Sequence, residues 1–237
     1  VVWKPAQVAH LLATATKDAP DIVPALACLF FAGLRPHEMF RLDWKNIRLA
    51  DGYIQIDPET SKVRSARTVD ISPNLTKWLA PYQKKSGLVS GGQFVFRRLR
   101  ELVMVEAGVT TWPVDVARHT FATAFYVQHG DAAKVMQQLG HFGSLATFTR
   151  HYKSLMSTKE AQAFWKIEPP QGKVIQLDSS RTGAEEEEMI TRLLAVESVD
   201  EPTEIVIHVN MLKEGWDVTN LYTIVPLRAA NARTLIE

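Results

Sequence analysis

Cysteine is almost missing from this 237-residue chain. Cys28 stands alone, which excludes an internal disulfide framework and any cysteine-rich zinc site. Long apolar runs are missing too. The longest, Ile22 to Leu34, is broken by Pro24 and Gly33 and falls short of the roughly 18 residues that a membrane span requires. No basic-then-apolar leader opens the sequence, so secretion is not indicated and a cytoplasmic location is expected. No Gly-x-x-x-x-Gly-Lys-Ser/Thr loop occurs, so a backbone cradle for the phosphates of ATP is not expected either. Nor does charge of one sign dominate the whole: 27 Lys and Arg face 26 Asp and Glu. What is present is ordinary globular material, 46% hydrophobic and 22% charged, which excludes disorder along the whole length.

The near-neutral total conceals an asymmetry. Residues 1–168 hold 21 Lys and Arg against 14 Asp and Glu, whereas residues 169–237 hold 6 against 12. The basic part is the candidate for a polyanionic partner. It reads as mainly helical with a small antiparallel sheet inserted. Val8, Leu11, Leu12 and Ala15 share a helix face that begins near Pro5. A second helix is expected from Asp21 to Gly33, a natural stop, and helical spacing resumes from Arg35 to Leu42. The period then changes: Ile47–Leu49, Tyr53–Ile56 and Thr68–Ile71 read as short strands, with Asp51-Gly52 as a tight turn. Helices are expected again over Pro73–Lys84, Arg97–Gly108, Asp115–Gly130, Asp131–His141, Leu145–Leu155 and Ser157–Ile167. Pro169-Pro170-Gln171-Gly172 marks a linker over residues 168–173. Beyond it, residues 174–237 alternate strand and helix, the grammar of a short α/β fragment. Its run of four glutamates suits a solvated helix N-terminus.

Polar residues at element boundaries of the first part, residues 1–167, suggest chemistry. Arg35 follows Gly33-Leu34, Lys62 lies in the turn between strands, Arg118 and His119 open a helix after Trp112-Pro113, and His141 closes a helix. Tyr152 follows eleven residues after His141, flanked by Arg150, His151 and Lys153. Two arginines, a lysine, a histidine and a tyrosine suit phosphodiester transfer to a phenol. Guanidinium forks neutralise the non-bridging oxygens of the transition state. A lysine or histidine can protonate the leaving oxygen, and a tyrosine can attack when a neighbour takes its proton.

The string Ala32-Gly33-Leu34-Arg35-Pro36-His37-Glu38, with Leu42-Asp43-Trp44 and Ile47, resembles the first-arginine box of tyrosine recombinases, the phage integrases. Ala117-Arg118-His119-Thr120-Phe121-Ala122-Thr123 is similar to the second-arginine box, Leu139-Gly140-His141 to the third, and Tyr152 to the nucleophile. Ser61-Lys62 with Arg67-Thr68-Val69 resembles the hairpin that carries the family's lysine. The resemblance implies the tyrosine recombinase catalytic fold and a reaction on double-stranded DNA that needs no metal, ATP or other cofactor. It implies Tyr152 as nucleophile, Arg35 and Arg118 as phosphate clamp, Lys62 as general acid and His141 as hydrogen-bond donor. It also implies four protomers assembled on two duplexes. Two departures accompany it. Asp115 stands where the family has a histidine three residues before the second arginine, and an ionised carboxylate there repels a phosphate. Either Asp115 orients Arg118 from behind, or cleavage is slowed. The chain also begins where the family's catalytic domain begins, without the helical domain that clamps the opposite DNA face, so weaker DNA affinity is expected.

Each of these residues has a plainer reading. Arg35 alone could be an exposed helix-end arginine, and Lys62 competes with Lys45 and Arg64. His141 alone suits a helix C-terminus. His119 and His151 are better read as packing or supporting residues than as donors to the phosphate. Tyr126 falls on an apolar stripe with Phe121 and Phe125 and suits the core. Cys28 reads as an inert buried thiol, and Trp44, Trp78 and Trp165 as packing residues. A DNA-binding module that no longer cuts is the main rival.

Residues 205–228, including Asn210-Met211-Leu212-Lys213-Glu214-Gly215-Trp216-Asp217-Val218, resemble the second RecA-like motor domain of type III restriction-enzyme subunits. The sequence ends before the arginine-rich motif that completes an ATP site there, which suggests a fragment joined by gene fusion. The purified chain is therefore expected to release no phosphate from ATP, with or without duplex DNA, in a colorimetric phosphate assay; DNA-stimulated hydrolysis would refute this.

Overall fold

The computed structural model of the protein describes residues 1–57, 66–140 and 155–170, the backbone of two strands at 174–177 and 205–208, and residues 191 and 195. The chain divides into two compact units, Val1–Pro169 and Pro170–Glu237.

The first unit is mainly helical with a small antiparallel sheet. Its helices are α1 (Pro5–Asp18), α2 (Val23–Phe31), α3 (Pro36–Met39), α4 (Pro73–Leu79), α5 (Gln93–Glu106), α6 (Val116–His129), α7 (Ala132–Leu139) and α8 (Thr158–Trp165). Helix α2 is the hub. Every one of its nine residues is apolar and buried, so it has no polar face to offer water and must be enclosed on all sides. Helices α1, α4 and α6 pack around it, and α3 follows it directly. Trp3 stacks on Phe30, and Trp112 meets both edge-to-face, with ring centroids 5.1–6.0 Å apart. Cys28 is buried in this core, and burial pushes its thiol up to about 12. Trp44 and Trp78 are buried, and the Trp78 indole donates to the Ile167 carbonyl at 3.0 Å. Tyr126, as its apolar stripe predicts, and Trp165 are half-buried against the Phe121 and Phe125 cluster.

The sheet has the order β1 (Ile47–Arg48), β2 (Tyr53–Ile56), β3 (Arg67–Asp70), all antiparallel. Ile54 pairs with Val69 and Ile56 with Arg67. Alternation sets the faces: Ile54, Ile56 and Val69 point into the core, whereas Gln55 and Thr68 face water. Arg67 lies two residues before Val69 and so shares the inner face. In the second unit, β4 (Val174–Leu177) and β5 (Ile205–His208) pair in parallel, which requires a crossover connection and suits α/β construction.

Several boundaries differ from sequence expectation. The Asp21–Gly33 helix is a 3-10 turn, Pro20–Ile22, leading into α2 at Val23, because Pro24 has no N–H to donate and is tolerated only in a first turn. Helix α3 stops at Met39 instead of Leu42: Arg41 N–H bonds the Glu38 carbonyl and Leu42 N–H the Met39 carbonyl, three residues back, so the chain tightens out of α geometry. Pro81 does the same to α4, which ends at Leu79 before a 3-10 turn at Ala80–Tyr82. Helix α5 starts at Gln93, not Arg97. Gly91 and Gly92, both with positive φ, turn the chain, and Phe94 is left 79% exposed, which hides the helical stripe. Strand β3 begins and ends one residue earlier than expected. The expected helix Leu145–Leu155 lies almost wholly outside the described residues, as do most of the elements expected beyond 177.

Gly33 ends the hub with φ +62°, and a Cβ built on it would sit 2.4 Å from Phe121 Cδ1. Gly52 has φ +75° but nothing within 4 Å of a built Cβ. Gly33→Ala is therefore expected to lower stability by about 2–4 kcal/mol and Gly52→Ala by about 1 kcal/mol, compared as urea-unfolding midpoints at unchanged m-value.

Candidate functional site

Arg35 sits at the N-cap of α3, held extended just before Pro36. Its backbone N–H donates to Glu38 Oε2 at 2.9 Å, which satisfies one of the orphan donors of the helix start. Its side chain donates from Nη1 to Glu38 Oε1 at 3.2 Å and from Nη2 to the Gly140 carbonyl at 2.9 Å. Arg118, in the first turn of α6, is 8% exposed. Its Nη1 donates to the Gly33 carbonyl at 2.7 Å and its Nη2 to the Leu139 carbonyl at 2.6 Å. The two expected phosphate-clamp arginines thus hang from consecutive carbonyls at the C-terminus of α7. Those are the orphan acceptors that a helix end offers, and the negative end of the helix dipole suits a cation. Gly140, with φ +57°, turns the chain out of α7 there.

Two further residues complete the cluster. Glu38 is fully buried. Arg67 reaches it from the inner face of β3 with a two-pronged contact, Nη1 to Oε1 at 2.7 Å and Nη2 to Oε2 at 2.9 Å. Burial pushes the Glu38 carboxyl up, but the hydrogen bonds and charge of Arg67, with the N–H and charge of Arg35, outweigh it and hold the group below its ordinary value. Arg67 also lies against Gly140: a Cβ there would come within 2.8 Å of its Cδ and Nε. Strand and helix are further joined by the Asp70 N–H, which donates to Gln138 Oε1 at 3.0 Å.

Three guanidinium groups and one carboxylate leave a formal charge of +2. Arg118 carries the strain of this arrangement. Burial first, then the repulsion of Arg35 and Arg67, lower it to about 10, against the pull of Glu38 and Asp115. It remains protonated at neutral pH. Backbone carbonyls orient it without neutralising it, which keeps its charge for an anion. Asp115 is exposed and starts α6 with φ +54°, a left-handed conformation that aspartate tolerates better than most residues. Among the described residues it forms no hydrogen bond or ion pair with Arg118. The groups that orient this arginine from behind are the carbonyls of Gly33 and Leu139, and Asp115 acts on it through charge alone. His119 is half-buried on α6. Lys62, His141 and Tyr152 lie outside the described residues. Sequence reasoning did not single out Glu38 or Arg67; the available signals were the carboxylate three residues after Arg35 and an arginine on the apolar face of a strand. Among the described residues no cluster of His, Cys, Asp and Glu could hold a metal ion, and no helix is long and apolar enough to cross a membrane.

Residues 2–158 match the family model described as the phage integrase family. The chain is similar in fold to the XerA recombinase crystal structure, with 20% identity, a TM-score of 0.54 and coverage of 73% of this chain and 66% of that one. It is likewise similar to the catalytic domain of bacteriophage HP1 integrase, with 22% identity, a TM-score of 0.52 and coverage of 64% of this chain and 86% of that one. No curated protein sequence matches it.

The depressed Glu38 carboxyl stabilises the fold fully above its unfolded value, and that contribution disappears as pH falls through the lower folded value. Urea-unfolding free energies measured from pH 6 down to pH 3 are expected to fall more steeply for the wild type than for Glu38→Gln. Parallel slopes would contradict the ionised assignment.

Proposed function

The chain belongs to the phage integrase family, and we propose that it cleaves and rejoins double-stranded DNA through a 3′-phosphotyrosyl intermediate. In this reading the catalytic part is residues 1–167. Arg35 and Arg118 take the two non-bridging oxygens of the scissile phosphate, and His141 adds a hydrogen bond. The Tyr152 oxygen attacks phosphorus as its proton passes to a neighbouring base, and the bond to the 5′ oxygen breaks. Lys62 gives that oxygen its proton, leaving a 5′-hydroxyl. Attack by the 5′-hydroxyl of a partner duplex reverses the step, with four protomers holding two duplexes. Charge stabilisation comes from guanidinium groups fixed in advance, so neither metal nor nucleotide enters the scheme.

The observation that supports this most directly is the seating of Arg35 and Arg118 on the adjacent carbonyls of Gly140 and Leu139, one residue before His141. A second reading, a site-recognising DNA binder that cuts slowly or not at all, draws on Asp115, whose negative charge faces the same arginine. For residues 174–237 the resemblance to a restriction-enzyme motor domain supports an α/β unit of that kind, in keeping with the parallel pairing of β4 and β5.

A pool of nicked duplexes with randomised arms, from which cleavage releases a short strand that diffuses away, separates the readings. Wild-type protein is expected to form an SDS-stable DNA adduct that Tyr152→Phe abolishes and Arg118→Ala reduces by about a hundredfold. Asp115→His is expected to speed adduct formation. Binding to the pool without any adduct would favour the non-cutting reading, and an adduct that survives Tyr152→Phe would remove Tyr152 as nucleophile.

A further inference from the structure

Glu38 poses a problem for an anion site. Its carboxylate is fully buried, and Arg35 offers it both a backbone N–H at 2.9 Å and Nη1 at 3.2 Å. A carboxylate removed from water closes on whatever cation is nearest. With Arg35 as its sole cationic partner, Glu38 would cancel the charge that a phosphate needs. Arg67 alters that competition. Its fork contacts both carboxylate oxygens, at 2.7 and 2.9 Å, and parallel bonds of this kind are stronger and more directional than a single longer one. Arg67 is also fixed in place. Strand alternation points it inward beside Val69, and Gly140 admits its stem only because no Cβ is there. Its Nε is buried, and both Nη atoms are turned to Glu38.

We propose that Arg67 is a positioning residue for anion binding: by serving as the counter-ion of Glu38, it leaves Arg35, beside Arg118, charged for an incoming phosphate. This rests on the reading of Arg35 and Arg118 as a phosphate clamp and adds a residue that acts through Glu38, not on the phosphate itself. A scaffolding role for Arg67 would make its loss harmful whatever stands at position 38. A charge-balancing role makes the loss harmful only while Glu38 is a carboxylate.

Orthovanadate, a phosphate mimic, serves as the probe. It is titrated by isothermal calorimetry onto the full chain, onto Arg67→Gln, Arg67→Lys and Glu38→Gln, and onto the double variant Glu38→Gln/Arg67→Gln, each checked for folding by circular dichroism. Arg67→Gln is expected to weaken vanadate binding about tenfold, Arg67→Lys by no more than about threefold, and the double variant to return to within about threefold of wild type. Where Arg67→Gln melts too low to titrate, the double variant is compared with Glu38→Gln, and the two are expected to agree within about threefold. A folded double variant as weak as Arg67→Gln, a double variant far weaker than Glu38→Gln, an Arg67→Gln that binds like wild type, or a wild-type chain that binds no vanadate would each overturn the inference. Strand cleavage does not enter the measurement. A chain that binds vanadate in this pattern yet forms no Tyr152-linked adduct contradicts the recombinase reading and leaves the role of Arg67 standing.

Discussion

A carboxylate sealed from water among guanidinium groups governs the geometry of the first unit. Glu38 accepts from the Arg35 backbone, the Arg35 side chain and both prongs of Arg67. Burying such a group costs heavily unless its lone pairs are met, and removing one partner of a buried pair typically costs about 3–5 kcal/mol. The contribution here is as much directional as energetic. Through Glu38 and Gly140, the N-terminus of α3, the start of β3 and the end of α7 are fixed relative to one another. Arg35 is therefore oriented before any anion arrives, as electrostatic catalysis requires of a charged donor.

Arg118 is handled by the opposite device. Its partners are two backbone carbonyls, which align a guanidinium without cancelling it. The cost shows in its affinity for a proton, which burial and two neighbouring arginines reduce, though not enough to discharge it at neutral pH. One arginine is thus held beside a carboxylate that has its own counter-ion, and the other by dipoles. Both retain positive charge at the α7 terminus. The glycines at 33 and 140 free carbonyls that sequence-distant arginines can grip.

Much of this was legible in the sequence, and the misses have physical causes. The hub helix, the small antiparallel sheet and the two arginines follow from apolar runs, alternation and motif strings. Three of the misplaced boundaries fall where proline or glycine overrides periodicity: Pro24 at the start of α2, Pro81 after α4, Gly91 and Gly92 before α5; the early end of α3 comes instead from its three-residue hydrogen bonds. Glu38 was hidden because an acid in the first turn of a helix has an ordinary reading as a partner for the helix dipole. Arg67 was hidden because an arginine near a strand end is usually solvated; that it points inward depends on the register Ile56 to Arg67. Asp115 was visible as a departure, but whether it touches Arg118 depended on the carbonyls that already occupy that arginine.

The central claim is that Arg35 and Arg118 converge on a single tetrahedral anion at the α7 terminus. Anomalous diffraction from crystals soaked in tungstate tests it directly. One tungsten peak within hydrogen-bond reach of both guanidinium groups is the predicted result. A peak elsewhere, with the two guanidinium groups facing apart, would contradict the account.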